Sequence, residues 1–303
     1  MNRIAFLCIV LGATLWGTIS WYVKHLYEFG FTAMEIVTIR VVTSTIILLI
    51  FLFIVSPKEL KLQSWLDIKY FIGTGIISII FFNYSLFKAI DLATIPIATA
   101  LLYTAPAFVT IMSVFLFQEK FSKYKVISLI MTFIGICFIV GLVPFDMANI
   151  SFISIIFGLG SGIGYALYSI FSKFALKRYS SLTITIYTFL VASIVLIPFF
   201  PLEKLALFSE TTVLMYGFGL GFLPTALAYI IYTFGLQYME TSNASILTTI
   251  EPIVATLIGV FIFREAFSFL QMIGMTCILG AVILIHRSPQ KEETIPTPQN
   301  QLH

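Results

Sequence analysis

An acidic side chain lies in the middle of a segment that is otherwise apolar enough to cross a membrane. Glu251 interrupts the stretch SNASILTTIEPIVATLIGVFIFRE, which covers residues 242–265, and Pro252 follows it directly. A carboxylate at bilayer depth costs several kcal/mol, so it requires a water-filled cavity, a buried partner or a bound proton. Glu251 is therefore a candidate for binding a proton or a substrate amine. The structural alternative is a hydrogen bond between helices.

A cation occupies a comparable position in another apolar segment. Arg40 lies about nine residues into that segment, which is about 12 Å below its end at 1.5 Å per residue. The sequence leaves three roles open for it. Arg40 recognises a substrate carboxylate, pairs with another helix, or extends its side chain to the interface.

Aromatic and amide side chains are numerous at the same depth. They could form a cavity wall with flat apolar area and hydroxyl groups, or serve packing and interfacial anchoring, where Tyr and Trp are usually found. We predict that several of them line a binding site. The candidates are Trp16, Asn83, Tyr84, Tyr103, Tyr165, Tyr168, Tyr229 and Tyr232.

Three prolines lie inside predicted helices. Pro106, Pro224 and Pro252 each remove a backbone hydrogen bond and loosen the preceding turn. We interpret all three as hinges. The carbonyls that they free could instead serve a ligand, or be satisfied by Thr248 or Thr249.

Several classes of function are excluded by what the sequence lacks. Cys8, Cys137 and Cys277 lie within apolar runs, and neither they nor the three histidines have metal-ligand spacing. The sequence contains no HExxH motif and no nucleophile paired with a base, so we predict no enzyme, no metal and no cofactor. The net charge of +3 is too small to indicate nucleic-acid binding.

Composition predicts a polytopic, all-α membrane protein. The chain is 59% hydrophobic and only 10% charged, whereas soluble proteins carry about 25% charged residues. The tail, residues 288–303, is polar and proline-containing and is predicted to be a disordered cytoplasmic segment. Ten segments are long enough to span a bilayer. They cover residues 3–23, 32–55, 68–88, 94–118, 123–143, 151–174, 181–200, 211–235, 241–263 and 268–286.

The distribution of Lys and Arg predicts the orientation. With both termini in the cytoplasm, twelve of these residues lie on the cytoplasmic side. Four lie outside, namely Lys24, Lys88, Lys204 and Arg264. Positive charge concentrates on the cytoplasmic side of membrane proteins, so we expect a multi-pass plasma-membrane protein with both ends inside.

The chain contains an internal repeat. At an offset of 146 residues, Pro252 superposes on Pro106, and FIFREAFS at 261–268 on FLFQEKFS at 115–122. Because each copy contains five helices, the second enters the membrane from the other face, an architecture typical of secondary transporters. We predict two inverted five-helix repeats around a central cavity, covering residues 1–143 and 144–287.

These motifs resemble the EamA family of the drug/metabolite transporter superfamily. The resemblance rests on the two helix endings above, on TAPAFVTIM and TIEPIVATL before them, and on LWG at 15–17. It covers residues 1–287. It implies a ten-helix carrier, commonly an exporter of amino acids, with a cavity lined by helices 1, 3, 4, 6, 8 and 9.

The leading hypothesis is a secondary transporter that exports amino acids or related small metabolites by alternating access, with proton coupling through Glu251. The alternatives are an uncoupled carrier, an exporter of toxic organic cations, or a non-transporting scaffold or sensor. The expected partners are the small-molecule substrate and the lipid bilayer. The chain is expected to act as a monomer or a homodimer.

Overall fold

The protein is a bundle of long helices. The computed structural model describes residues 2–142 and 151–287. The described ranges contain ten long helices: α1 (Arg3–Glu28), α2 (Ala33–Val55), α3 (Trp65–Leu92), α4 (Ile95–Phe117), α5 (Lys123–Ile139), α6 (Phe152–Ala175), α7 (Ser181–Phe199), α8 (Thr211–Gln237), α9 (Thr241–Phe261) and α10 (Phe269–His286).

The predicted ten-helix membrane fold is confirmed. Nine of these helices have the length and apolar composition needed to cross a membrane. The tenth, α5, has 17 residues, which is the short end of the spanning range. α1 continues to Glu28, beyond the predicted residue 23, because its last turns pack on α8, where the His25 ring stacks 4.5 Å from that of Tyr216. The predicted boundary at residues 143 and 144 and the predicted tail lie outside the described residues.

Both described ends of the chain lie at one end of the bundle. The ring of Phe6, near the start of α1, is 4.5 Å from the ring of His286, at the end of α10. We call this end, where Asn2 and Arg287 lie, the termini face, and the other end the opposite face. Because successive helices alternate in direction, α9 starts at the termini face and α4 starts at the opposite face.

Polar caps explain where several helices begin. Ser122 Oγ accepts a hydrogen bond from the Lys125 backbone N–H at 3.3 Å, and Ser268 Oγ accepts from Gln271 N–H at 3.1 Å. A helix start has N–H groups without intrahelical partners, which a serine oxygen can satisfy. These two serines lie at repeat-related positions, so the cap between the fourth and fifth helix is preserved in both halves.

The helix contacts repeat with the two halves exchanged. α1 packs against α8 and α9, while α6, its counterpart, packs against α3 and α4. α2 packs against its counterpart α7, and α5 against its counterpart α10. α5 and α10 approach so closely that a Cβ on Gly135 would lie 2.7 Å from the Gly274 carbonyl oxygen. This pattern is that of two inverted repeats.

Four helices are interrupted at repeat-related places. α3 contains a π-helical segment at Gly73–Ile80, and α8 contains one at Phe222–Leu227. α4 divides into α4a (Ile95–Leu102) and α4b (Ala105–Phe117). α9 divides into α9a (Thr241–Leu247) and α9b (Ile250–Phe261). π-Segments in helices are frequent at functional sites, and all four interruptions lie near the middle of the bundle.

A polar cluster joins the two halves at the termini face. One 3₁₀ turn (Pro57–Leu60) precedes α3, and a second (Trp65–Asp67) forms the first turn of α3 and ends at the buried Asp67. Arg178 and the Tyr179 hydroxyl, both after α6, each donate to Asp67 at 2.6 Å. Burial and the hydrogen bond to Asp67 raise the pKa of Tyr179, so its hydroxyl remains a neutral donor.

Candidate functional site

Glu251 is positioned by the break in α9. The side chains of Thr248 and Thr249 donate to the carbonyls of Ser245 and Ile246, at 2.7 and 2.6 Å. These bonds satisfy carbonyls at the end of α9a, whereas the carbonyl that Pro252 would free, that of Thr248, accepts from the Glu251 backbone N–H at 2.9 Å. Glu251 then lies in the first turn of α9b, where the positive end of the helix dipole favours an acidic group.

The carboxylate of Glu251 faces α6 and α4. The Tyr165 hydroxyl donates to Glu251 Oε2 at 3.0 Å, and the Tyr103 hydroxyl lies beside the same carboxylate. Glu251 is partly exposed, whereas Pro252 and Ile253 after it are buried. The acid therefore has hydroxyl donors from two other helices and keeps some exposed surface.

A glycine lets α1 approach this acid. A Cβ on Gly17 would lie 2.8 Å from the Glu251 carbonyl oxygen and 2.5 Å from Val254 Cβ. In the other half, a Cβ on Gly162 of α6 would lie 2.8 Å from Thr104 Oγ1 at the break in α4. Each broken helix thus packs closely against a glycine in the first helix of the other half.

Most of the predicted aromatic residues form one cluster. The Trp16 ring is 4.9 Å from the rings of Tyr229 and Tyr232 and 6.2 Å from that of Tyr165. Tyr168 joins the cluster at 4.9 Å from Tyr229. The edge-to-face geometry of several of these pairs is the arrangement that aromatic rings prefer.

Hydroxyl pairs hold this cluster between α6 and α8. The Tyr168 hydroxyl is 2.8 Å from Thr233 Oγ1, and the Tyr232 hydroxyl is 2.6 Å from Ser169 Oγ. Both pairs are buried. The two tyrosines therefore have their polar atoms satisfied within the protein, while Tyr165 is turned to Glu251.

The cluster surrounds a small cavity of about 10 Å³. This is about the volume that one water molecule requires. Two buried polar atoms of lining residues, Trp16 Nε1 and Ser78 Oγ, have no hydrogen-bond partner among the described residues. The lining residues are Trp16, Ser78, Ile79, Phe82, Tyr165, Tyr168, Ser169, Tyr229 and Tyr232.

Arg40 points inward from α2. It is 5% exposed, so it does not extend to the interface, which was one of its predicted roles. The guanidinium lies beside the Tyr229 hydroxyl and interacts electrostatically with Glu251. Its Nε atom has no hydrogen-bond partner among the described residues. A cation and an anion thus both lie at the aromatic cluster.

Two of the predicted lining residues lie elsewhere. Asn83 is buried but donates to the Ile79 carbonyl of its own helix at 2.7 Å, next to the π-helical segment. Tyr84 is 46% exposed, and its ring packs against Phe157 at 6.3 Å. The structure does not bring either side chain to the cluster.

The three prolines lie at the interruptions. Pro106 and Pro252 are in the first turns of α4b and α9b, just after each break. Pro224 lies inside the π-helical segment of α8, where Thr225 Oγ1 donates to the Leu220 carbonyl at 2.7 Å. These positions are compatible with the hinge interpretation, which remains a prediction.

Four cavity residues were missed by sequence reasoning, namely Ser78, Ile79, Phe82 and Ser169. Ser78 is the counterpart of Pro224 at the 146-residue offset, so the repeat could have identified it. Ser169 lies four residues after Tyr165 and shares its helix face. Ile79 and Phe82 carried no signal, because isoleucine and phenylalanine are common throughout the chain. In the parts of the chain that the structure describes, no group of His, Cys, Asp or Glu could hold a metal ion.

Comparison with known proteins agrees with this architecture. The model of the EamA-like transporter family matches residues 3–141 and 152–287. An uncharacterized transporter of Archaeoglobus fulgidus is 30% identical over 279 residues, which is 92% of this chain and 95% of that protein. The threonine/homoserine exporter RhtA of Salmonella typhimurium is 24% identical over 212 residues, covering 69% of each chain.

A solved structure shares the fold. That crystal structure superposes with a TM-score of 0.76 at 17% sequence identity and covers 94% of this chain and 96% of its own. The relatives are transporters and not enzymes. With both halves matched by the family model and the central acid held between them, the chain belongs to the EamA-like transporter family and is a multi-pass membrane transporter.

Proposed function

We propose that this transporter is a secondary carrier that exports amino acids or related small metabolites across the plasma membrane by alternating access. The excess of Lys and Arg on one side supports a cytoplasmic termini face. The inverted halves, with breaks at mid-depth in α4 and α9, support alternating access. One chain contains a complete site, so the transport unit is one chain, alone or within a homodimer.

The observation that carries the substrate class is the pair of opposite charges at the cluster. Glu251 can accept the ammonium group of an amino acid, and Arg40 can donate to its carboxylate. The neighbouring aromatic faces also favour the ammonium group. The name of the relative RhtA, a threonine/homoserine exporter, supports this substrate class.

Proton coupling would use the same acid. Glu251 exchanges a proton for the substrate amine, with Tyr165 holding the carboxylate in place between the two states. The cavity of about 10 Å³ is too small for an amino acid. Substrate entry therefore requires the rings of α1 and α8 to separate from α6.

The test is transport by purified protein in liposomes. We expect counterflow of a small amino acid such as threonine, stimulated by an imposed pH gradient. Glu251→Gln is expected to lower the rate by roughly tenfold to a hundredfold, the effect of losing a hydrogen bond to a charged group. Glu28→Gln, at the exposed end of α1, is the matched control and should transport normally.

Other results would replace parts of this proposal. Normal, pH-dependent transport by the Glu251→Gln variant would remove the acid from the mechanism, and transport without any effect of pH would indicate an uncoupled carrier. An exporter of organic cations is favoured by the aromatic rings beside a carboxylate. Arg40 distinguishes the two substrate classes, because Arg40→Gln should weaken amino-acid transport but strengthen transport of a monovalent cation.

A further inference from the structure

The two broken helices are held differently at their starts. α9a lies at the termini face and is surrounded by α1, α4b, α5, α6, α8 and α10. Every residue from Thr241 to Thr249 is buried. α4a, its counterpart at the opposite face, packs mainly against α3, α5 and α6, and Ile95 at its start is 64% exposed. The neighbouring helices therefore cover α9a completely at the termini face, whereas they leave part of α4a exposed at the opposite face.

A buried carboxylate from the first half holds the start of α9a. Glu119, just after α4b, has a side chain that is 0% exposed. Its Oε1 accepts the Thr241 backbone N–H at 2.6 Å, and its Oε2 accepts the Ser242 backbone N–H at 3.2 Å and the Ser242 hydroxyl. Glu119 thus supplies the acidic cap of a helix that belongs to the other repeat.

A lysine completes this contact. Lys125 of α5 is 2% exposed and lies 3.3 Å from Glu119 Oε2 and 3.1 Å from Glu240 Oε2. Asn243 Nδ2 also donates to Glu240 at 2.8 Å. Lys125 therefore joins an acid of the first half to an acid of the second half, inside the protein, where water does not screen the charges.

The repeat-related position at the opposite face cannot form the same cluster. At the offset of 146 residues, Glu265 corresponds to Glu119, but Pro96 replaces Ser242 and has neither an N–H nor a hydroxyl. Thr94 replaces Glu240, and Gln271 replaces Lys125. Glu265 instead forms an exposed ion pair with Lys24 at 3.1 Å.

We propose that Glu119 is a latch residue that closes the termini face, and that transport requires it to release the start of α9a. When the carrier reverses, the inverted repeat predicts that α4a moves beneath Glu265 as α9a leaves Glu119. In that position Glu265 can accept a hydrogen bond from the Ile95 N–H, but Pro96 offers no counterpart of the two Ser242 donors. The resting carrier therefore favours the state that is closed at the termini face. This inference rests on the proposed alternating access.

The latch can be tested by measuring a distance, without any substrate. Spin labels are placed on Ile95→Cys and Phe261→Cys, two exposed sites at the opposite face, after Cys8, Cys137 and Cys277 are replaced by Ala. Electron–electron double resonance in liposomes then reports the separation of α4a from α9b. Reversal brings these positions together, to the spacing of their counterparts Thr241 and Phe115.

Glu119→Gln should transfer population to the shorter distance. We expect the ratio of short to long distance to rise by roughly tenfold to a hundredfold, as for the loss of a hydrogen bond to a charged group. Glu265→Gln is the matched control and should leave the ratio within about twofold, because its ion pair is exposed. An unchanged ratio in a folded Glu119→Gln variant would overturn the latch.

A second variant tests the same idea by building the missing partners at the opposite face. The triple variant Thr94→Glu, Pro96→Ser and Gln271→Lys gives Glu265 the donors and the lysine that Glu119 has. It should also raise the population at short distance, even if Glu119→Gln does not fold. A folded triple variant with the wild-type distribution would count against the proposal.

The outcomes separate this inference from the proposed function. If amino acids are not transported by the wild type but Glu119→Gln still shifts the distances, the substrate is wrong and the latch stands. If the wild type transports amino acids while both variants keep the wild-type distances, the function stands and the latch is wrong. Loss of structure alone would broaden the distances and would not produce a defined shorter one.

Discussion

α4 and α9 have the same plan, yet they meet different surroundings. Each has a short first half, a break near the middle, and a proline in the first turn of the second half. α9a is buried throughout and bound by the Glu119 carboxylate, whereas α4a is partly exposed and begins at a proline-containing turn. Equivalent helices thus have unequal stability, and a carrier with two inverted halves can in this way favour one of its two states.

The largest expected difference in stability between the two ends of the bundle concerns the buried charges at the termini face. Lys125→Met should lower the free energy of unfolding by about 3–5 kcal/mol, because it leaves buried carboxylates without their cation. Gln271→Met, at the counterpart position, should cost only about 1 kcal/mol through loss of a helix cap. Thermal unfolding in detergent would measure both. Similar losses for the two variants would show that the ends do not differ in this way.

A smaller difference in stability is expected between substitutions of Gly17 and Gly162, the two glycines that contact the broken helices. Gly17→Ala should destabilise the protein by about 1–3 kcal/mol, because its Cβ would collide with the backbone of α9 at Glu251. Gly162→Ala should cost less, because α4a is on the looser side and can shift. Gly160→Ala, whose Cβ would have 3.5 Å of space, is the control. Thermal unfolding of the three variants would rank them, and a larger cost at Gly162 would contradict the comparison.

The smallest difference in stability is expected between substitutions of the two threonines whose hydroxyls donate to backbone carbonyls at the breaks. Thr249 is fully buried and donates to Ile246 O, whereas Thr104 is partly exposed and donates to Leu101 O, each at 2.6 Å. Thr249→Val should cost about 0.6–1 kcal/mol, and Thr104→Val less, since water can replace its hydroxyl. Unfolding in increasing denaturant would resolve the two. Equal costs would indicate that water reaches the carbonyls of α4a no more easily than those of α9a.

Much of the fold was predictable because apolar segments must cover the bilayer thickness. The ten segments and the repeat follow from that requirement and from the 146-residue offset. Trp16, Tyr165, Tyr229 and Glu251 were also predicted together, and the structure places them around one centre.

The rest of the site depended on how each helix is rotated. Asn83 and Tyr84 directly follow Phe82, which lines the cavity, but the π-helical segment of α3 changes the register before them. An apolar helix has no polar face to indicate its rotation in the membrane. The direction of these side chains was therefore not readable from spacing.

The amino-acid sequence by itself determined the class of protein, the number of spans, the duplication and the acid at mid-depth, because these depend on composition and on chain length. Only the tertiary structure decided that Glu119 caps a helix 122 residues away, while its counterpart Glu265 pairs with an exposed lysine. Both glutamates end similar helices in similar motifs. The two glutamates differ because the other repeat places a different helix start beside each of them. That placement depends on how the two halves pack together.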